Sequence, residues 1–478
     1  MSFTNFHFWF LFPIIFIVYW AIPARCCRLR NLFLLIVSYL LYMNWKPAFA
    51  VVLLAVTVIC FGGGCLLDIQ SDAKKKKTLC WCFAVLGMLP LLVFKYYNFL
   101  NDSFTEVLEV AGLHFALPGL NWAIPVGISF FTFQAVGYLL DVYHKRVPAE
   151  KDFLDFALFV SFFPQVTSGP ISTANELMPQ FKTRHQFDYS QAVQGLKLLL
   201  YGMFMKLVIA DRFGLFVDLV YDHYEYYSSL TCLKAALAYS IQIYFDFCGY
   251  SLMAVGIAKT LGFNLINNFN RPYLAASVTE FWRRWHISLT RWLTTHVYIG
   301  LGGNRCGRIR QYSNILVTFL VSGLWHGANW TFVFWGMLHG FFQIIEKVLF
   351  GEKIKSEIKA VSRRLSAIRI VRILFTFVLV SIAWMFFRMP TLSDGFGLIA
   401  RIFANAPGRE SSGSLTYIAF AATVAVLVHD LVREYHPERR LLSNNRCAAV
   451  RWSVYAMMFI LILTYGILDS SSFIYASF

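Results

Sequence analysis

The sequence predicts an all-α, polytopic integral membrane protein, on its composition and on the length of its apolar runs. Of the 478 residues, 58% are hydrophobic and 14% charged, against roughly 45–50% and roughly 25% in soluble domains. A soluble chain of this size would be short on the order of 50 charges to cover its surface. Runs such as Phe8–Ala21 and Ile368–Phe387 are long, the second broken only by Arg369 and Arg372 near its start, whereas a membrane barrel needs alternating segments of about ten residues. Backbone in lipid must satisfy its own hydrogen bonds, and helices do so segment by segment. Roughly ten to twelve crossings follow. No repeat or low-complexity linker divides the chain, so 1–478 reads as one membrane-embedded domain. Disorder, a coiled coil, a disulfide scaffold and an ordinary cytosolic enzyme are excluded.

The spans can be ordered by their flanking charges. Phe6–Pro23 is the first, and it does not read as a cleaved signal, because Met1–Phe6 is uncharged and no small-residue cleavage site ends the run. Arg25, Arg28 and Arg30 place its end in the cytoplasm and the N-terminus outside. Asn31–Met43 runs outward, Trp45 marks an interfacial turn, and Val51–Leu67 returns to Lys74–Lys77. Leu79–Phe99 leaves again. The loop Asn101–Asn121 carries Asp102, Glu106 and Glu109 but no Lys or Arg, and Trp122–Tyr143 comes back to His144–Arg146. Phe153–Phe163 is short and stops at Pro164 and Gly169–Pro170, the pattern of a broken or re-entrant helix. Such backbone survives at membrane depth only inside protein or beside water. Gln194–Val220 holds Lys206, Asp211 and Arg212, and Leu233–Leu261 holds Asp246. Ile315–Phe350, Ile370–Phe387, Tyr417–Leu431 and Val454–Leu468 complete the set. The net charge of +16 reads as this basic cytoplasmic fringe rather than as a nucleic-acid surface. The ten cysteines follow no metal-ligand spacing, and no metal site or phosphate loop is expected.

Two stretches are too polar for their surroundings. In Phe269–Asn304, Glu280-Phe-Trp-Arg283-Arg284-Trp285-His286 interleaves aromatics with cations. An interfacial anchoring helix accounts for this. So does a cationic entrance for an anionic ligand such as acyl-CoA, because guanidinium forks suit phosphate. The second stretch is Val321–Trp330, with His326 inside an apolar region. Ionisable groups in a membrane mark function by default, and a neutral imidazole is the usual base for activating a hydroxyl. The plainer alternative is a packed histidine bonded to a carbonyl. On one continuous helix Ser322, Asn329 and Trp330 would lie beside His326. His339, thirteen residues further, would fall outside that site and reads as structural. His286 would approach from another segment.

At these residues the chain resembles the membrane-bound O-acyltransferase family, in particular its bacterial branch of alginate O-acetyltransferases and D-alanyl transferases. The motifs are Pro125–Gln134 (PVGISFFTFQ), Tyr138–Tyr143 (YLLDVY), Phe163–Pro170 (FPQVTSGP), Tyr244–Ser251 (YFDFCGYS), Glu280–Leu289 (EFWRRWHISL), Gly300–Arg305 (GLGGNR) and Gly323–Ala328 (GLWHGA). It departs at Leu252, where Asp is expected, and at Thr294–His296, where relatives tend to have Arg-Asp-Tyr. The resemblance implies membrane helices, some re-entrant or interfacial, around a transmembrane tunnel. It implies an acyl thioester donor, acetyl-CoA or another, entering from the cytoplasm, and no bound cofactor. It maps catalytic histidines onto His326 and His286. Arg283, Arg284, Trp285 and Asn329 become candidate donor contacts, and Tyr244, Asp246 and Ser322 candidate tunnel lining. The acceptor would be a hydroxyl of an exported polysaccharide, reached through a separate extracytoplasmic acyltransferase, with the chain in the inner membrane. The rivals are a D-alanyl transferase with a carrier-protein donor, a secondary transporter or polymer flippase, and a scaffold without chemistry. A transporter should show paired broken segments in two matching halves, and one such region is visible.

The cation pattern makes a topological prediction. In a cysteine-free background on intact cells, an impermeant thiol reagent should label Ser103→Cys and spare Ser71→Cys. The reverse pattern would invert the orientation.

Overall fold

The computed structural model describes residues 3–113, 117–351, 366–410, 417–439, 441, 443 and 445–467. Among these there is no strand, only an isolated bridge between Tyr227 and Arg409. The helices fall into two compact units, one from Met1–Lys197 with Ala254–Ile266, the other from Leu198–Met253 with Asn267–Ser477.

The first unit carries α1 (Phe6–Ala21), α2 (Cys27–Met43), α3 (Pro47–Ile69), α4 (Ala73–Leu91), α5 (Tyr97–Val110), α6 (Ile128–Tyr143), α7 (Phe153–Ser161) and α8 (Ala174–Phe181). Local chemistry sets the helix starts. Pro47 opens α3, where its missing N–H costs nothing. Asp72 and Asp152 accept the first amides of α4 and α7, and Thr173 with Glu176 forms a capping box on α8. Helix α6 is buried on nearly every face, as expected of a helix apolar all round. Gly63 and Gly64 of α3 let α4 and α6 come close: a Cβ would lie 2.7 Å from the Phe83 ring of α4 at the first and 2.6 Å from the Tyr138 hydroxyl of α6 at the second. The glycine run is thus a packing seam. After α7 the chain turns through buried, non-helical residues 162–170. Its amides are satisfied internally, Phe163 N donating to Ser38 Oγ and Gly169 N to the Gln165 carbonyl, which matches the broken segment anticipated at Pro164.

One boundary differs from the sequence reading. Residues 73–110 form one continuous helical rod, because a π-helical turn at Leu92–Tyr96 joins α4 to α5. The first half of the expected outer loop is therefore helix, and residues 114–116 lie outside the described residues. The stretch Gln194–Val220 lies within a single rod, as α9 (Tyr189–Met203) continues through a π-helical stretch, Phe204–Ala210, into α10 (Asp211–Tyr221).

The second unit adds α11 (Ser229–Thr260, its last turns within the first unit), the short α12 (Val278–Arg284) and α13 (Ile287–Leu293), then α14 (Arg308–His326), α15 (Trp330–Phe350), α16 (Ala367–Arg388), α17 (Leu392–Phe403), α18 (Tyr417–Tyr435) and α19 (Ala448–Tyr465). The apolar region Ile315–Phe350 is not one helix. It breaks at Gly327, whose extended backbone ends α14, and restarts at Asn329, whose side chain accepts from Thr331 N at 3.0 Å. The two arms pack antiparallel, Gly323 against the Phe332 carbonyl and Gly336 against the Phe319 carbonyl.

Among the described residues seven helices are long and apolar enough to cross a membrane, and His7–Ala21 and Ile128–Tyr143 are shorter apolar helices. The sequence count of ten to twelve also took in two helices of another kind. These are α2, with Arg28 and Arg30 in its first turn, and α18 with its cluster of His429, Asp430, Arg433 and Glu434. The charges inside the spans are satisfied locally. Lys206 pairs with Asp211 at 2.6 Å and Asp246 at 2.5 Å, and Arg212 donates to the Tyr465 carbonyl that ends α19.

A Cβ on Gly336 would lie 2.3 Å from the Phe319 carbonyl oxygen, a backbone atom that cannot swing away. Gly336→Ala should therefore cost about 1–3 kcal/mol, read as a lower Tm of the detergent-purified protein. Gly62→Ala, which meets nothing within 4 Å, should leave Tm unchanged or raise it.

Candidate active site

The chain break between α12 and α13 positions His286. Arg284 ends α12 and Ile287 opens α13, so Trp285 and His286 between them must turn the chain. His286 does so in the left-handed region, at φ 43° and ψ 54°. A non-glycine residue there is uncommon, with histidine among those that tolerate it. Asn268 holds the turn, its carbonyl accepting from Ile287 N at 3.0 Å and its side chain from Ser288 N at 3.1 Å. The His286 side chain is fully buried, and its ring lies 4.7 Å from that of Phe247. It sits outside the spanning helices, and burial pushes its imidazole down to about 3, so it is neutral at any physiological pH.

His326 is the last residue of α14. Its ring is 2% exposed and packs edge-on against Trp325 and Trp335, each at 4.9 Å, and Phe387 at 5.2 Å. The His286 ring lies 6.4 Å away. The structure thus brings the two sequence-selected histidines together in one dry aromatic box.

Because the hairpin folds α15 back along α14, His339 joins the same cluster. Its ring is 4.9 Å from Trp335, the residue that also contacts His326. Trp282 Nε1 donates to His339 Nδ1 at 3.2 Å; indole can only donate, so the proton of a neutral His339 sits on Nε2. The judgement that His339 lies too far along one helix assumed an unbroken helix, and the break at Gly327 removes that assumption. The same break separates Asn329 and Trp330 from His326. Asn329 caps α15 and donates to the Pro390 carbonyl at 2.9 Å, and Trp330 is 53% exposed. The signal was present in the sequence, since Gly followed by Asn two residues later is a helix stop and start.

A cavity of about 300 Å³ adjoins this cluster. Arg283 of α12 and Lys347 of α15 supply cations to its lining, Trp282 an aromatic wall, and Thr294, Thr318 and Ser322 hydroxyls. His326 and His286 are not among the lining residues, but Ser322 stands one helical turn before His326 on α14. Sequence reasoning had no means to select Lys347 or Thr318, which the packed helices place in the lining of the same cavity as Arg283. The other candidates sit elsewhere. Arg284 points away from the cavity and pairs with Glu280 at 2.6 Å and Glu434 at 2.7 Å, in a buried network that also holds Arg271 and Arg369. Trp285 is buried among Phe269, Phe281 and Trp384. Tyr244 donates to Asp430 at 3.4 Å, and Asp246 is held by Lys206. Among the described residues no group of His, Cys, Asp or Glu is arranged to hold a metal ion.

The model of the membrane-bound O-acyltransferase family matches residues 145–388, a stretch that contains this whole cluster. The chain is 38% identical over 412 residues to the probable alginate O-acetylase AlgI of Azotobacter vinelandii, covering 84% of this chain and 78% of that protein. The chain belongs to the membrane-bound O-acyltransferase family. It is also 34% identical over 417 residues to the peptidoglycan O-acetyltransferase of Helicobacter pylori, covering 81% of this chain and 76% of the relative. The teichoic acid D-alanyltransferase of Streptococcus thermophilus is more distant, at 28% over 293 residues, 59% of this chain and 66% of that protein. As a membrane-bound O-acyltransferase it is a multi-pass enzyme that transfers an acyl group to a hydroxyl. The cluster of histidines and the cavity beside it lie within the part of the chain that carries the family signature.

The two neighbouring arginines should separate in their effects. Arg284→Ala leaves Glu280 and Glu434 buried without their main partner, a loss of about 3–5 kcal/mol when a buried pair is broken, so folded yield and Tm should fall. Arg283→Ala, at an exposed position, should leave Tm within error of wild type.

Proposed function

We propose that this enzyme moves an acetyl group from a thioester donor on the cytoplasmic side, acetyl-CoA or another acyl thioester, across the membrane toward hydroxyls of an exported cell-surface polysaccharide. The chain acts as a single membrane-embedded O-acyltransferase domain in the cytoplasmic membrane, its N-terminus outside. The observation that supports this reading is the cavity with Arg283 and Lys347 in its lining and Ser322 one turn from His326. Cations suit the phosphates or carrier of a thioester donor, and the 300 Å³ volume suits its thioester end rather than a whole polymer. The named activities of the bacterial relatives, acetylation of alginate and of peptidoglycan, favour acetyl over D-alanyl as the group transferred.

In this reading His326 is the general base. A hydroxyl attacks a thioester slowly until its proton is removed, and a positioned base contributes about 10²–10⁴-fold. The acceptor oxygen bonds to the acyl carbon while His326 takes the hydroxyl proton. The carbon–sulfur bond then breaks, and the sulfur leaves with that proton. The positive charge held meanwhile by His326 sits at the C-terminal end of α14, where the helix dipole is negative. His286, neutral and 6.4 Å away, assists in positioning. Arg283 contacts the donor. Among the described residues no domain large enough to grip a polysaccharide stands apart from the helices, and in this reading a separate extracytoplasmic acyltransferase completes delivery to the polymer.

Purified full-length protein in detergent should consume acetyl-CoA without any ion gradient, which a transporter or flippase would not do. His326→Ala should lose at least about 100-fold in turnover while remaining monodisperse. His326→Gln should be equally inactive, since it keeps hydrogen bonding but accepts no proton. Near wild-type turnover by His326→Gln would remove the base assignment. Arg283→Ala should raise the donor KM with a smaller change in kcat, the mark of lost uniform binding.

A further inference from the structure

Several hydroxyls on the helices of this protein bond in the same way. Ser38 donates to the Leu34 carbonyl, Ser161 to Ala157, Ser240 to Ala236, the half-buried Thr318 to Asn314 and Thr423 to Ala419. Each returns its proton to the carbonyl four residues back, the local bond open to any Ser or Thr in a helix. Ser322 does not. It is 1% exposed and stands one turn after Thr318 on the same helix, yet its Oγ, like that of Thr132 in α6, has no hydrogen-bond partner among the described residues. A buried hydroxyl left unpaired is costly, so its position calls for an occupant. Ser322 lines the cavity, at a spacing of four residues from His326 and hence on the same helix face.

We infer that the Ser322 hydroxyl is the donor that receives the carbonyl oxygen of the acyl thioester and holds the acyl carbon in place for attack beside His326. This deepens the proposed reaction and rests on it. When the acceptor oxygen bonds to the acyl carbon, the carbonyl electron pair moves onto oxygen, and the Ser322 O–H bond points at that growing charge. When the pair returns, the carbon–sulfur bond breaks and the sulfur takes the proton that His326 removed from the acceptor. Ser322 keeps its own proton throughout. It is not an acyl-carrying nucleophile, because a nucleophilic hydroxyl needs a base within hydrogen-bond reach and Ser322 makes no bond to His326 or to any other described group. A donor aimed at developing charge acts chiefly on the transition state, so its removal lowers kcat more than it raises KM.

The test uses full-length protein in detergent with acetyl-CoA and with the dithioester analogue, in which sulfur replaces the carbonyl oxygen and accepts hydrogen bonds poorly. Ser322→Ala should lower kcat for acetyl-CoA by about 10-fold or more, with KM little changed, and should narrow the preference for oxygen over sulfur. Its Tm should hold or rise, since a buried unpaired hydroxyl has been removed. Ser322→Thr, which keeps the hydroxyl, should restore part of the lost turnover. Wild-type kcat in Ser322→Ala, an effect confined to KM, an unchanged oxygen-to-sulfur preference or a fall in Tm would each overturn the inference. So would an acetylated Ser322 in acid-quenched protein. His326→Gln in the same assay reports separately on the base, so its result and that of Ser322→Ala fail independently. A wild-type protein inert both to acetyl-CoA and to an acetylated carrier-protein thioester would overturn the thioester reading, and the role of Ser322 with it.

Discussion

The close approach of α14 and α15 is the contact on which the candidate site depends. In lipid there is no hydrophobic gain in bringing two apolar helices together, so association relies on packing, which small residues improve by letting backbones touch. Gly323 faces the Phe332 carbonyl and Gly336 the Phe319 carbonyl, with room for no side chain at either. That contact fixes the depth of His326 at the end of one arm and brings Trp335 and His339 of the other arm against it. It also places Thr318 and Ser322 of one arm and Lys347 of the other in the lining of one cavity, so the hairpin contributes to both the cavity and the histidine cluster.

Around that hairpin, polarity is handled in two distinct ways. Charges that hold the structure are paired: the buried Lys206 with two aspartates, the buried Arg284 with two glutamates, and the half-buried Arg212 with a helix-end carbonyl. An ion taken from water needs such partners, since its desolvation is otherwise uncompensated. The histidines are treated differently. Aromatic rings enclose His286 and His326, and imidazole tolerates this because it can stay neutral when desolvated.

The sequence and the site diverge at particular residues. His326 and His286 were legible because an ionisable side chain in an apolar run has few structural reasons to be there. Arg283 and Arg284, adjacent and chemically identical, were not distinguishable in one dimension. A helix rotates about 100° per residue, so neighbours face different surroundings, and one lines a cavity while the other closes an ion network. Asp246 and Tyr244 sat in a family motif and looked like tunnel lining, but their partners, Lys206 and Asp430, come from segments distant in the chain.

Composition, apolar run length and flanking charge were enough by themselves to determine an all-helical membrane protein, because the bilayer accepts few other solutions for a backbone. The motifs were enough to identify the family. The tertiary structure alone decided which polar residues share a site. Register within the hairpin depends on where glycines permit contact, and that is a property of two surfaces meeting. A single helix gave Ser322 its place four residues from His326. Only the packed protein left that hydroxyl buried beside a cavity with nothing of its own to bond.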